Sequence, residues 1–143
     1  MHDSEFSLLP TPISRDWKDS QAEHVRNGEV QTDTVARVIF NSGEYVDGNW
    51  GKYVDAIQRW ESITGNPAPP PTVNDGRDGN ARYSPKFAEW LMGLPAGFVT
   101  DAGLSRREAF TCIGNGVVPQ QAELALTILL DGLNLFADVD ETN

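Results

Sequence analysis

"RYSPKFAEWLMGLPAGFVTD", residues 82–101, is the stretch on which the fold turns. It reads as a short helix with both ends marked. Ser84 is a natural N-cap, because its hydroxyl can accept from an early helical N–H. Pro85 suits the first helical position, where the missing N–H costs nothing. Gly93 stops the helix and Pro95 follows it. Phe87, Trp90 and Leu91 fall on one side and predict an apolar face.

Downstream, "SRRE" from Ser105 to Glu108 fits a capping box and opens a second helix. Gly114, Asn115 and Gly116 then read as a turn, and Pro119 begins a last helix. That helix is unusual. Glu123, Thr127, Asp131 and Asn134 form one narrow polar stripe, and leucines, isoleucine and alanines occupy nearly everything else. A helix apolar over most of its circumference is buried over most of it. It is therefore either the centre of the domain or the contact surface for another chain.

Upstream, "WGKYVDAIQRWESITG" (residues 50–65) predicts an amphipathic helix. Tyr53, Ala56, Ile57, Trp60 and Ile63 share a face, and Gly65 ends it. "TDTVARVIF" from Thr32 is ambiguous: Val35, Val38 and Ile39 have helical spacing, but their β-branching suits a strand. "NSGEYVDGN" after it is rich in turn residues. Residues 66–81 are Pro-rich and then Gly/Asn/Asp-rich, which predicts a long connector with freedom to move. Pro10 and Pro12 make the start extended, and Ser14 could cap a short turn through Asp16 and Trp17.

The expectation is one small domain over residues 1–143, mainly α with irregular connectors, with an α+β arrangement left open for its N-terminal half. Its parts are an extended segment (1–31), an ambiguous element plus an amphipathic helix (32–65), the connector (66–81), the C-terminal helices (82–136) and an acidic tail (137–143). At 143 residues the chain is of ordinary single-domain size, and 39% hydrophobic residues suffice for a core. No apolar run is long enough to span a bilayer and no signal peptide opens the chain, so a cytoplasmic protein with no membrane partner is expected. One cysteine, Cys112, excludes an internal disulfide and a multi-cysteine metal site. His2 and His24 are too isolated for a metal cluster, so no metal site is assigned.

The net charge is −10. Residues 82–118 carry four bases against three acids, whereas residues 119–143 carry five acids and no base. Nucleic-acid binders usually show a basic footprint, so weak or no DNA binding is expected.

The two C-terminal blocks resemble the end of C5-cytosine DNA methyltransferases, with the actinobacterial and actinophage forms nearest. Arg82, Ser84, Pro85, Gly93, Leu94 and Pro95 match one family block. Gly114, Asn115, Gly116, Val117 and Val118 match the other. The opening "LLPTPISRDWKD" and the segment from Trp50 to Thr72 look like the variable target-recognition region of the phage-type enzymes. The departures matter as much. The family's nucleophile is the Cys of a Pro-Cys dipeptide, which attacks a flipped cytosine. The only cysteine here lies in Thr-Cys-Ile, and neither the Glu-Asn-Val segment nor the Gly-rich loop for S-adenosylmethionine is present. The resemblance thus implies a target-recognition and C-terminal region without its catalytic domain.

By that resemblance Asn115, Gly116 and Val117 would be a vestigial wall of a cofactor pocket, with S-adenosylmethionine bound only if a catalytic domain completed it. Read as structure alone, they are a turn between helices. Arg82, Lys86, Arg106 and Arg107 are the candidate phosphate contacts, and a solvated helix surface is the plainer reading. Trp17, Trp50, Tyr53, Trp60 and Trp90 read as core, and Cys112 reads as a small buried hydrophobe. Trp90, Leu126, Leu129, Leu130 and Leu133 are the candidate interface. No catalytic residue is assigned. The expected function is that of a phage-encoded, non-catalytic protein that binds and modulates a host protein. The alternative is the recognition subunit, or remnant, of a split cytosine methyltransferase whose partner is the catalytic subunit. Self-association is expected as a further use of the last helix.

Overall fold

The computed structural model describes residues 8–18, 25–41, 45, 46 and 48–137, with Asn41 and residues 133–137 as backbone only. Much of the "NSGEYVDGN" stretch and all but the first residue of the acidic tail lie outside the described residues, as do His2 and His24. The architecture is mainly α: α1 (Val35–Asn41), α2 (Val54–Thr64), α3 (Pro85–Leu91), α4 (Arg106–Asn115) and α5 (Pro119–Ala137). Two small antiparallel hairpins accompany them, β1 (Val25–Arg26) with β2 (Glu29–Val30), and β3 (Thr72–Val73) with β4 (Arg82–Tyr83). The first hairpin falls within the segment expected to be extended, turning at Asn27 and Gly28, both with positive φ.

Local capping resolves as read. The Ser84 hydroxyl accepts from the Phe87 N–H at 3.3 Å. Ser105 and Glu108 form the reciprocal capping box. Gly65 ends α2 in the left-handed conformation, and its N–H donates to the Glu61 carbonyl at 2.8 Å. Asp16, rather than Ser14, organises the short 3-10 turn at Asp16–Lys18: its carboxylate accepts from the Ile13 N–H at 2.9 Å.

The ambiguous segment is a helix. Val35, Ala36, Val38 and Ile39 are all buried, which helical spacing permits. A strand would point Val35 and Val38 to opposite faces. The Thr34 hydroxyl accepts from the Arg37 N–H, and Asp33 pairs with Arg37 at 2.6 Å one turn on.

The core is a run of aromatic rings. Tyr45 lies 4.6 Å from Trp50, which stacks on Phe87 at 5.2 Å; Phe87 meets Tyr83 edge-on, and Tyr83 packs on Phe110 at 5.2 Å. Trp50 and Tyr53 are buried as expected, and Trp17 and Trp60 are partly buried. Ile63, expected on the apolar face of α2, is 53% exposed: it lies at the edge of that face, which Thr64 continues partly buried in the last turn.

The expected mobile connector is instead tied down. Glu61 accepts from the Ala68 N–H at 2.8 Å, Pro71 is buried, and the Ser84 N–H donates to the Pro71 carbonyl. The indole N–H of Trp60 donates to the Trp90 carbonyl, and that of Trp90 to the Asn66 carbonyl, both at 3.0 Å. Two tryptophans thus lock α2, the connector and α3 together.

Candidate functional site

Four groups of residues bear on function, three of them expected from the sequence, and the fold treats each differently. The first is the junction of α4 and α5. Gly114 and Asn115 are not turn residues but the last two residues of α4. Gly114 is small because the N-terminal segment crosses it: a Cβ there would overlap the backbone of Ile13 and Ser14. Gly116 has extended backbone with φ −78°, and its N–H donates to the Ile113 carbonyl at 3.2 Å. Asn115, Gly116 and Val117 are exposed. The Gly116 amide is therefore engaged and not held out for a ligand carboxylate. These residues form one exposed edge and do not by themselves fit S-adenosylmethionine. Cys112 is exposed, against the expectation of burial, because Ile113 takes the inward position beside it.

The second group is the arginines. Arg82 and Arg106 converge on Asp75, at 4.0 and 3.7 Å. Arg106 is largely inside: it donates to the Tyr83 carbonyl and lies over the Phe110 ring at 4.9 Å. Burial, with Arg82 beside it, pulls its pKa down to about 10, which leaves it cationic at neutral pH. Arg107 turns the other way and covers the Trp17 ring at 5.2 Å, as does Lys18. Lys86 borders a separate cleft. The fold brings Arg82 and Arg106 together on Asp75, an exposed carboxylate of the same chain, and turns Lys86 and Arg107 to other surroundings.

The third group was not legible as a site. Glu89, 2% exposed, accepts from the N–H groups of Gly97, Val99 and Thr100 at 2.9, 2.6 and 3.0 Å, and from the Thr100 hydroxyl at 3.0 Å. A carboxylate so placed shapes the loop after α3. It flanks a cleft of about 500 Å³ whose wall includes Trp90, Lys86, Asp101 and Gln120. Its spacing puts it on the side of α3 away from Phe87, Trp90 and Leu91, and its partners lie 8–11 residues away in an irregular loop, so nothing local marked it as buried. Trp90 itself is 7% exposed, so it belongs to the core and not to the surface expected for an interface.

The fourth group is α5. Its root is fixed: Val118 packs on the core, and the Gln120 side chain donates to the Gly93 carbonyl at 2.9 Å. From Glu123 to Asp131 every residue is exposed. Leu124, Leu126, Ile128, Leu129 and Leu130 are 58–63% exposed. The helix is not the centre of the domain. Leu133 belongs to the part described as backbone only.

Among the described residues, no helix is long and apolar enough to cross a membrane, and no group of three or more His, Cys, Asp or Glu is placed to hold a metal ion. No protein-family description, curated protein or solved structure matches the chain.

Proposed function

We propose that this chain is a non-catalytic binding protein, phage-encoded and derived from the C-terminal region of a cytosine methyltransferase, that acts by contact with a host protein. The exposure of α5 carries this reading. Five large apolar side chains, more than half exposed along one helix, are costly in water and are the usual mark of a protein interface. An isolated helix gains most of its stability from packing of its apolar face, which the rest of this domain does not provide. The acidic balance of the chain and the internal use of Arg82 and Arg106 support a protein partner over a nucleic acid.

The test is affinity purification from bacterial cells of the wild type, Leu129→Asp and Glu123→Ala side by side. Proteins retained by the wild type and Glu123→Ala but lost from Leu129→Asp are expected. Identical sets from all three overturn the reading.

One observation favours the second reading, a recognition subunit of a split methyltransferase. Asn115, Gly116 and Val117 stand exposed, as one edge of a composite pocket would before its partner arrives. Co-expression with a phage-type catalytic chain tests it: methylated DNA only when both are present would establish that role.

A further inference from the structure

We infer that in the free protein α5 is covered by a second copy of this chain, with the two α5 helices crossing and each lying in the apolar cleft at the root of the other. The inference rests on the reading of α5 as a docking surface and names its occupant.

The width of the apolar arc comes first. At 3.6 residues per turn, Glu123, Thr127 and Asp131 fall on a single stripe, while Leu124 and Ile128 lie on one flank and Leu126, Leu129 and Leu130 on the other. One neighbouring helix covers one flank only. A second apolar surface has to meet the other.

The molecule carries such a surface. A cleft of about 270 Å³ opens beside the root of α5, with Leu8, Leu9, Trp60, Leu91, Met92 and Val118 in its wall. Leu8 is 75% exposed there. The helix cannot fill this cleft in its own copy, because it starts at Pro119, next to the cleft's own Val118, and runs outward for 19 residues. That is a reach of roughly 28 Å, enough to lie across the corresponding cleft of a second molecule. Val118 and Gln121 at the root of α5 stand in the cleft's wall, so a two-fold arrangement that lays each helix in the other copy's cleft buries both sets of surfaces at once and closes on itself.

Area and charge agree with this pairing. Full burial of one Leu or Ile side chain corresponds to roughly 100 Å², so the five exposed residues of α5 offer on the order of 300 Å² in each copy. Two helices and two clefts together approach the roughly 1,000 Å² of a specific interface. The only charges between Glu123 and Asp131 are those two carboxylates, both on the polar stripe and off the contact. Within residues 123–131, like charges are therefore kept off the contact.

Sedimentation velocity of the full chain across the micromolar range tests the inference. A dimer is expected for the wild type and for Glu123→Ala. Leu129→Asp on the helix and Leu8→Asp in the cleft are each expected to weaken association by about 100-fold. Both residues are exposed in the single chain, so the body of the domain should fold in either variant, which tryptophan fluorescence checks. A wild-type monomer overturns the inference, and so does a dimer that survives both substitutions. Hydrogen exchange over residues 124–130 separates this failure from that of the docking reading. Fast exchange in a monomer removes only the second copy, whereas slow exchange in a monomer removes the docking surface as well.

Discussion

Gly114 of α4 lies against the backbone of Ser14, a hundred residues earlier in the chain, so closely that a Cβ at Gly114 would overlap the Ser14 nitrogen. This contact is where the N-terminal segment, with its buried Pro12 and Asp16, joins the C-terminal helices.

Gly114→Ala should therefore destabilise the protein by about 1–3 kcal/mol, the usual cost of forcing atoms into a filled space. Gly116→Ala should cost far less, because its backbone is extended and its nearest neighbour, the Ile113 carbonyl oxygen, is 3.3 Å away. Thermal unfolding of the two variants decides this. Equal midpoints would show that the N-terminal segment does not seat on α4.

Glu89→Ala removes the acceptor for three backbone N–H groups and one hydroxyl in a buried setting. A loss of about 2–4 kcal/mol is expected, since each donor left without a partner costs on the order of 1 kcal/mol or more. Urea unfolding measures it. Limited proteolysis should then cut between Pro95 and Gly103, which the intact carboxylate prevents.

Tyr83 is wholly buried, and its hydroxyl has no hydrogen-bond partner among the described residues. Burial, reinforced by the Asp16 carboxylate, lifts its pKa well above the ordinary value of 10. The unfolded chain ionises this group near pH 10 while the folded protein keeps it neutral. Its contribution to stability is therefore complete below pH 10 and is lost as pH rises toward the folded value, by about 1.4 kcal/mol for each further unit. Tyr83→Phe should be nearly neutral at pH 7 and should lose less stability than the wild type above pH 10. Taking the difference between the two proteins isolates Tyr83 from Arg106, whose lowered pKa acts in the opposite sense. Parallel pH profiles would refute the assignment.

The chain alone is expected not to methylate DNA, because it contains no Pro-Cys dipeptide and its single Cys112 sits on an exposed turn of α4. Purified protein with DNA and labelled S-adenosylmethionine should leave the DNA unlabelled. DNA affinity should be no tighter than the roughly 10⁻⁴–10⁻⁶ M of non-specific binders, and a submicromolar, sequence-selective shift would contradict it.

The caps at Ser84, Ser105 and Gly65 could be read from the sequence because each is decided within four residues: a side chain and the N–H groups it reaches are set by the same turn of helix. The amphipathic spacing of α2 and α3 and the mainly α class follow for the same reason. The folded chain decided the rest. Val35–Asn41 became helix because four of its apolar side chains found the core on one side, a fact their β-branching could not convey. The start of the connector was pinned by the Trp90 indole N–H, whose acceptor at Asn66 lies 24 residues away, and α2 was tied to α3 by that of Trp60, whose acceptor lies 30 residues away. The Gly-Asn-Gly stretch owed its first glycine to a segment at the other end of the chain. For α5, composition demanded burial and left two answers, core or contact. Only the tertiary structure chose between them, because whether an apolar face meets the rest of its own domain depends on where the preceding turn points it. Here the turn after α4 roots the helix at Val118 and Gln120 and sends the remainder outward.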